Sequence, residues 1–105
     1  MATYFISRHP AALEWVKQQN VIIDHCLRHL LDMSLFTLGD VVLGTFPIQL
    51  VAALNKKGIK YGHFSLTVPP QWRGMELDLA QILQCQPEIS YFHVEKIEGT
   101  DNLTA

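Results

Sequence analysis

The order of apolar and turn-forming segments predicts an α/β domain with an open, mostly parallel five-stranded sheet and helices on both faces. Two observations carry this. Short apolar runs alternate with stretches of helical periodicity along the chain. Two of those runs also empty through a polar junction into a proline that suits a helix start, at Ser7-Arg8-His9-Pro10 and at Gly44-Thr45-Phe46-Pro47. A strand, a helix of about ten residues and a second strand make a right-handed parallel unit. With the first strand central, the expected strand order is 2-1-3-4-5, and the first and third strands flank the point where the winding reverses.

The first strand is Thr3 to Ile6. The helix after Pro10 is rich in helix formers through Gln19, with Ala12, Leu13, Trp15 and Val16 on its apolar face and Asn20 as its stop. Val21-Ile22-Ile23 opens the second strand, running into Asp24-His25-Cys26-Leu27. Arg28 to Asp40 mixes apolar and turn residues and reads as a connection with one helical turn. Gly39-Asp40 turns into Val41-Val42-Leu43, an apolar run suited to a central strand buried on both faces. The amphipathic helix Ile48–Lys57 ends in lysines and Gly58, matching its dipole. Ile59 to Leu66 is the fourth strand, stopped by Pro69-Pro70. A short helix over Asp78–Gln84 and a last strand over Ile89–Ile97 complete the domain, residues 1–97. Residues 98–105 are polar and read as a loose tail.

Composition narrows function. A formal net charge of −2 over 105 residues does not suit a protein that coats long nucleic acid through counterion release. No run approaches the ~20 apolar residues of a membrane span, and no charged and apolar leader opens the sequence; the expected compartment is the cytoplasm. Cys26 and Cys85 form no CxxC or His/Cys cluster of metal-ligand spacing, so free, mostly buried thiols are expected and neither metal nor cofactor is implied.

The chemistry gathers at strand ends. Arg8 and His9 offer a guanidinium for phosphate contact and an imidazole that moves protons near neutral pH, with Ser7 beside them. At the second junction Gly44 allows close backbone approach, Thr45 can bond a phosphate oxygen or cap the helix, and Phe46-Pro47 lead into that helix. Neither a lysine-bearing phosphate loop nor a GxGxxG pattern is present, so no standard nucleotide site is predicted there. Ser65 closes the fourth strand. Beyond it, Trp72, Arg73 and Glu76 bring an aromatic that can stack on a base, a cation and a carboxylate to a loop that can close over the same edge. Tyr4 and Trp15 read as core, and His25, His29, His63 and His93 as strand or surface histidines. Histidine phosphatases also place an Arg-His pair after their first strand, but this chain has about half their length and Pro10 where they have glycine.

Ser7 to Pro10 with Glu14 to Gln19, then Gly39 to Pro47, His63 to Leu66 and Trp72 to Leu77, resemble the Csx-sixteen family of small proteins encoded with type III CRISPR systems. The likeness runs in order from Tyr4 to Leu79, and little after Ile82 matches. The resemblance implies a Rossmann-like domain acting as a homodimeric ring nuclease, which binds and cuts the second messenger cyclic tetra-adenylate without metal and so switches off the CRISPR response. For such a reaction Ser7, Arg8, His9 and Arg73 are the catalytic candidates and Gly44, Thr45, Phe46, Pro47, Ser65, Trp72 and Glu76 the binding candidates. A non-cleaving binder of the same ligand and a structural partner of the CRISPR locus are the alternatives.

Overall fold

A computed structural model describes residues 1–30 and 32–97; the tail expected from Glu98 onward lies outside them. Five strands run in the order β2-β1-β3-β4-β5, as the alternation predicts. They are β1 (Thr3–Ile6), β2 (His25–Leu27), β3 (Val41–Gly44), β4 (Lys60–Ser65) and β5 (Glu88–Phe92). The first four are mutually parallel, and β5 returns antiparallel to β4. Helices α1 (Pro10–Lys17), α2 (Ile48–Lys56) and α3 (Leu79–Gln84) supply the outer layers. Two 3₁₀ turns, Met33–Leu35 and Pro70–Trp72, punctuate the long connections, and Asp32 caps the first by accepting the Ser34 N–H at 2.9 Å.

Strand alternation assigns the two faces. On one, Phe5, Leu43 and Phe64 pack with Ala12, Trp15 and Val16 of α1 and Ile82 of α3. On the other, Tyr4, Ile6, Val42 and Tyr61 pack with Val51 and Leu54 of α2 and with Phe36 from the long connection. Neighbouring strand residues thus point to opposite layers, as a period of two requires. Burying each such large side chain contributes about 1.5–3 kcal/mol. Val42 and Leu43 are fully buried, which fits a central strand covered on both sides.

Three boundaries differ from the sequence expectation by two residues or more. The second strand begins at His25 rather than Val21. Asp24 clips the chain to β1, its Oδ2 accepting the Thr3 N–H at 2.7 Å and its own N–H donating to the Thr3 carbonyl at 2.9 Å. Ahead of that clip Val21 and Ile23 pack beneath the α1 layer, while Ile22 points outward. Regular α-helix in α1 ends at Lys17, and the Gln18 and Gln19 N–H groups close tighter turns onto Trp15 and Val16. The last strand stops at Phe92, because the Val94 N–H donates to Asn55 Oδ1 at the end of α2.

Local signals elsewhere act as read. Pro10 occupies the first turn of α1, and Gly58, with φ +82°, follows α2 where a Cβ would collide with Leu38. One signal went unread: Asp78, expected inside the helix, is instead the N-cap of α3 and forms a reciprocal capping box with Gln81. Both cysteines are free, but only Cys85 is buried; Cys26 lies exposed on the edge strand β2. No helix among the described residues is long and apolar enough to cross a membrane.

Candidate functional site

All four parallel strands end on the same edge of the sheet, and their carboxyl ends carry the polar junctions. A crevice of ≈ 650 Å³ opens there, bounded by Ser7, Arg8 and His9 from the end of β1, Gly44 to Phe46 from β3, and His63 and Ser65 from β4. A second crevice of ≈ 590 Å³ adjoins it and is walled by Trp72, Arg73 and Glu76 beyond β4. Arg8, His9 and Arg28 line both, so the three stretches singled out in the sequence meet at one bilobed opening. A broader concavity of ≈ 1050 Å³ lies at the amino edge; its titratable side chains are Lys60, Tyr91 and His93, and no arginine lines it. Chemistry, not size, therefore distinguishes the carboxyl edge.

Each candidate side chain owes its place to a local bond or packing constraint. Ser7 extends the parallel ladder, its N–H donating to the Leu27 carbonyl at 3.0 Å, and its Oγ accepts the His9 N–H at 3.2 Å. That small turn sets the exit from β1 and leaves Arg8 and His9 exposed at the rim. His9 is the N-cap of α1, and its carbonyl accepts the Ala12 and Leu13 N–H groups. Gly44 is required by space, because a Cβ there would sit 2.9 Å from the Ile6 carbonyl oxygen and 3.4 Å from the Phe46 ring.

Thr45 does not cap the helix that follows it. Its hydroxyl donates to the Phe64 carbonyl at 2.6 Å, tying β3 to β4, and α2 starts from Pro47 without a side-chain cap. Pro47 lies outside the lining of both crevices; it accepts the Leu50 and Val51 N–H groups instead. Trp72 is half-buried at the end of its 3₁₀ turn, and Gly74, with φ +80°, bends the loop that holds Arg73 and Glu76 exposed.

Sequence reasoning missed three residues. Arg28 and His29 follow β2 directly and join the crevice, on the same strand-end rule that selected Arg8 and His9. They are legible as a basic pair directly after the strand end expected at Leu27, although the sequence reading assigns Arg28 onward to a connection. His63 is the third. Its Nδ1 lies 2.7 Å from the hydroxyl of Tyr61, a buried side chain that also accepts the Phe46 N–H at 2.9 Å and donates to the Gly44 carbonyl at 3.1 Å. Burial pushes the Tyr61 phenol above its ordinary range, against the opposing effect of the Phe46 N–H, which keeps it a neutral hydroxyl at physiological pH.

The protein is thus a Rossmann-like α/β domain with a basic crevice at the carboxyl edge, where its winding changes direction. Residues 4–95 match the family model described as "Putative CRISPR-associated protein (Cas_VVA1548)", and the chain belongs to that family of CRISPR-associated proteins. No curated protein and no solved structure matches it.

Proposed function

We propose that the protein is a ring nuclease that binds cyclic tetra-adenylate and cleaves it, ending type III CRISPR signalling in the cytoplasm. The observation that carries this reading is the bilobed crevice, in which Arg8 and Arg28 stand between an imidazole-bearing pocket and an aromatic one. Two guanidiniums suit the phosphates of an oligonucleotide, Trp72 suits an adenine face, and His9 suits proton transfer. The likeness of Tyr4 to Leu79 to the Csx-sixteen family points to the same ligand, and membership of a CRISPR-associated family is consistent with it.

The reaction proposed is attack by a ribose 2′-hydroxyl on the adjacent 3′-phosphate, giving linear adenylates with a 2′,3′-cyclic phosphate end. Much of the acceleration comes from holding the attacking and leaving oxygens in line. Arg8 and Arg73 stabilise the charge that builds on the phosphoryl oxygens. The step proposed assigns no role to a metal ion, as the resemblance implies. A homodimer is part of the proposal, because a ring of four identical nucleotides can share a two-fold axis with its protein.

Radiolabelled cyclic tetra-adenylate incubated with the protein, with and without EDTA, tests the reading. Linear products in both samples are expected. A raised melting temperature without products makes the protein a non-cleaving binder, and products only with added metal remove the metal-free part. No response to any cyclic oligoadenylate leaves a structural partner of the CRISPR locus as the better account. Light scattering with and without ligand tests the dimer.

A further inference from the structure

Cleavage by a 2′-hydroxyl moves two protons, and His9 alone serves one of them at a time. Resting on the ring-nuclease reading, we propose that His63 is the second proton carrier, paired with His9 across the crevice, and that Tyr61 is its positioning residue. The register places His63 opposite Gly44, which is level with Ile6 at the end of β1. At about 4.8 Å per strand, Ile6 and His63 are roughly 10 Å apart across the sheet. His9, three residues beyond Ile6, and His63 thus line one opening from its β1 and β4 sides.

Tyr61 fixes the ring. Its hydroxyl engages Nδ1, which leaves Nε2 as the nitrogen free for the crevice, and Phe92 of β5 meets the ring edge-on with centroids 6.2 Å apart. The hydroxyl has one proton and two acceptors for it. Turned to the Gly44 carbonyl, it accepts Nδ1–H and leaves the Nε2 lone pair as a base; turned to Nδ1, it leaves Nε2–H as a donor. In the step, the 2′-oxygen forms its bond to phosphorus as one imidazole takes its proton. The bond from phosphorus to the 5′-oxygen breaks as the other, entering as imidazolium, protonates that oxygen. Tyr61 on its own strand bonds His63, and the other charged and titratable groups lining the same crevice are Arg8 and His9 from the β1 end and Arg28 and His29 from the β2 end. From β5, opposite His63 stands Ser90, whose hydroxyl donates to Glu88.

Turnover and binding of cyclic tetra-adenylate by His63→Ala, His63→Gln and Tyr61→Phe, each across pH, test this. Both His63 variants are expected to show the native thermal shift with ligand, to lose about 100-fold or more in turnover, and to lose one limb of the bell-shaped rate profile. Imidazole added to His63→Ala restores part of the rate. Tyr61→Phe keeps binding and both limbs but moves one of them. A His63 variant with the native pH profile overturns the proposal, as does a rate loss matched by lost ligand binding. Should alanine fail to fold, the glutamine variant decides by the same two readouts. Native protein that binds the ring without cleaving it overturns the ring-nuclease reading and this proposal together, which separates that failure from a fault in His63 alone.

Discussion

The two edges of this sheet handle polar groups in opposite ways. At the amino edge, Asp40 is buried and spends both oxygens on the chain itself. Its Oδ1 accepts the Ala2 N–H at 2.9 Å, and its Oδ2 accepts the Thr37 N–H at 2.9 Å and the Thr37 hydroxyl at 3.3 Å. Asp24 likewise holds Thr3. At the carboxyl edge, Arg8, His9, Arg28 and Arg73 stand around the crevices, and of the junction hydroxyls only that of Thr45 is committed to a main-chain carbonyl. At one edge the carboxylates hold the strands together. At the other Arg8, His9, Arg28 and Arg73 stand exposed around the crevices.

The largest expected effect separates these roles most clearly. His9→Ala should cut turnover of cyclic tetra-adenylate by about 10²–10⁴-fold while leaving binding and melting temperature near native, since the side chain is exposed and caps nothing. Native turnover in that variant would remove His9 from the chemistry. Asp40→Ala should act in reverse. It strips three donors of their acceptor and should lower stability by about 3 kcal/mol in chemical denaturation, with the surviving folded protein still binding ligand.

The same carboxylate predicts an acid response. The Thr37 and Ala2 N–H groups hold its pKa below the ordinary 3.8. The unfolded chain therefore binds the proton more readily than the folded one. The Asp40 contribution is complete above pH 3.8 and is lost as pH falls through the lower folded value. Asp40→Asn should flatten that part of the stability curve, and an unaltered acid limb would contradict the assignment.

Smaller effects sharpen the boundary. Arg8→Ala and Arg28→Ala should each weaken ligand binding by about 10-fold and reduce its salt dependence, with thermal stability unchanged. Loss of binding in Arg8→Ala alone would narrow the site to the end of β1. Thr45→Val is the mildest test. It should cost about 1 kcal/mol of stability through the lost bond to Phe64 and leave ligand affinity alone. A large affinity loss would return Thr45 to the binding set.

Much of the sheet was legible because its information is local. Thr3 to Ile6 and Val41 to Leu43 are apolar runs ended by turn chemistry, and the helices between them carry their own starts and stops. Strand ends then brought Arg8, Gly44 and Trp72 to one side. What escaped was non-local. No pattern near Thr45 says that its proton is bound for Phe64, nineteen residues on, and none near His63 reveals that Tyr61 links it to Gly44 and Phe46. His63 reads as an ordinary strand histidine until the third and fourth strands are laid side by side. The early start expected for the second strand failed for a related reason: Val21 and Ile23 are apolar because they seal a helix layer, not because they join a ladder.

The reversal of β5 has a practical side. Because that strand runs back along β4, Phe92 lies level with Tyr61, and Val94 is tied to Asn55 near the end of α2. Residue 97 therefore leaves the fold from the same side as Met1, which precedes β1. A surface coupling or fusion attached at the amino terminus holds the molecule by the edge opposite the crevice and points the crevice at solution. Binding of cyclic tetra-adenylate to immobilised protein can then be measured with the anchor on the far side of the sheet.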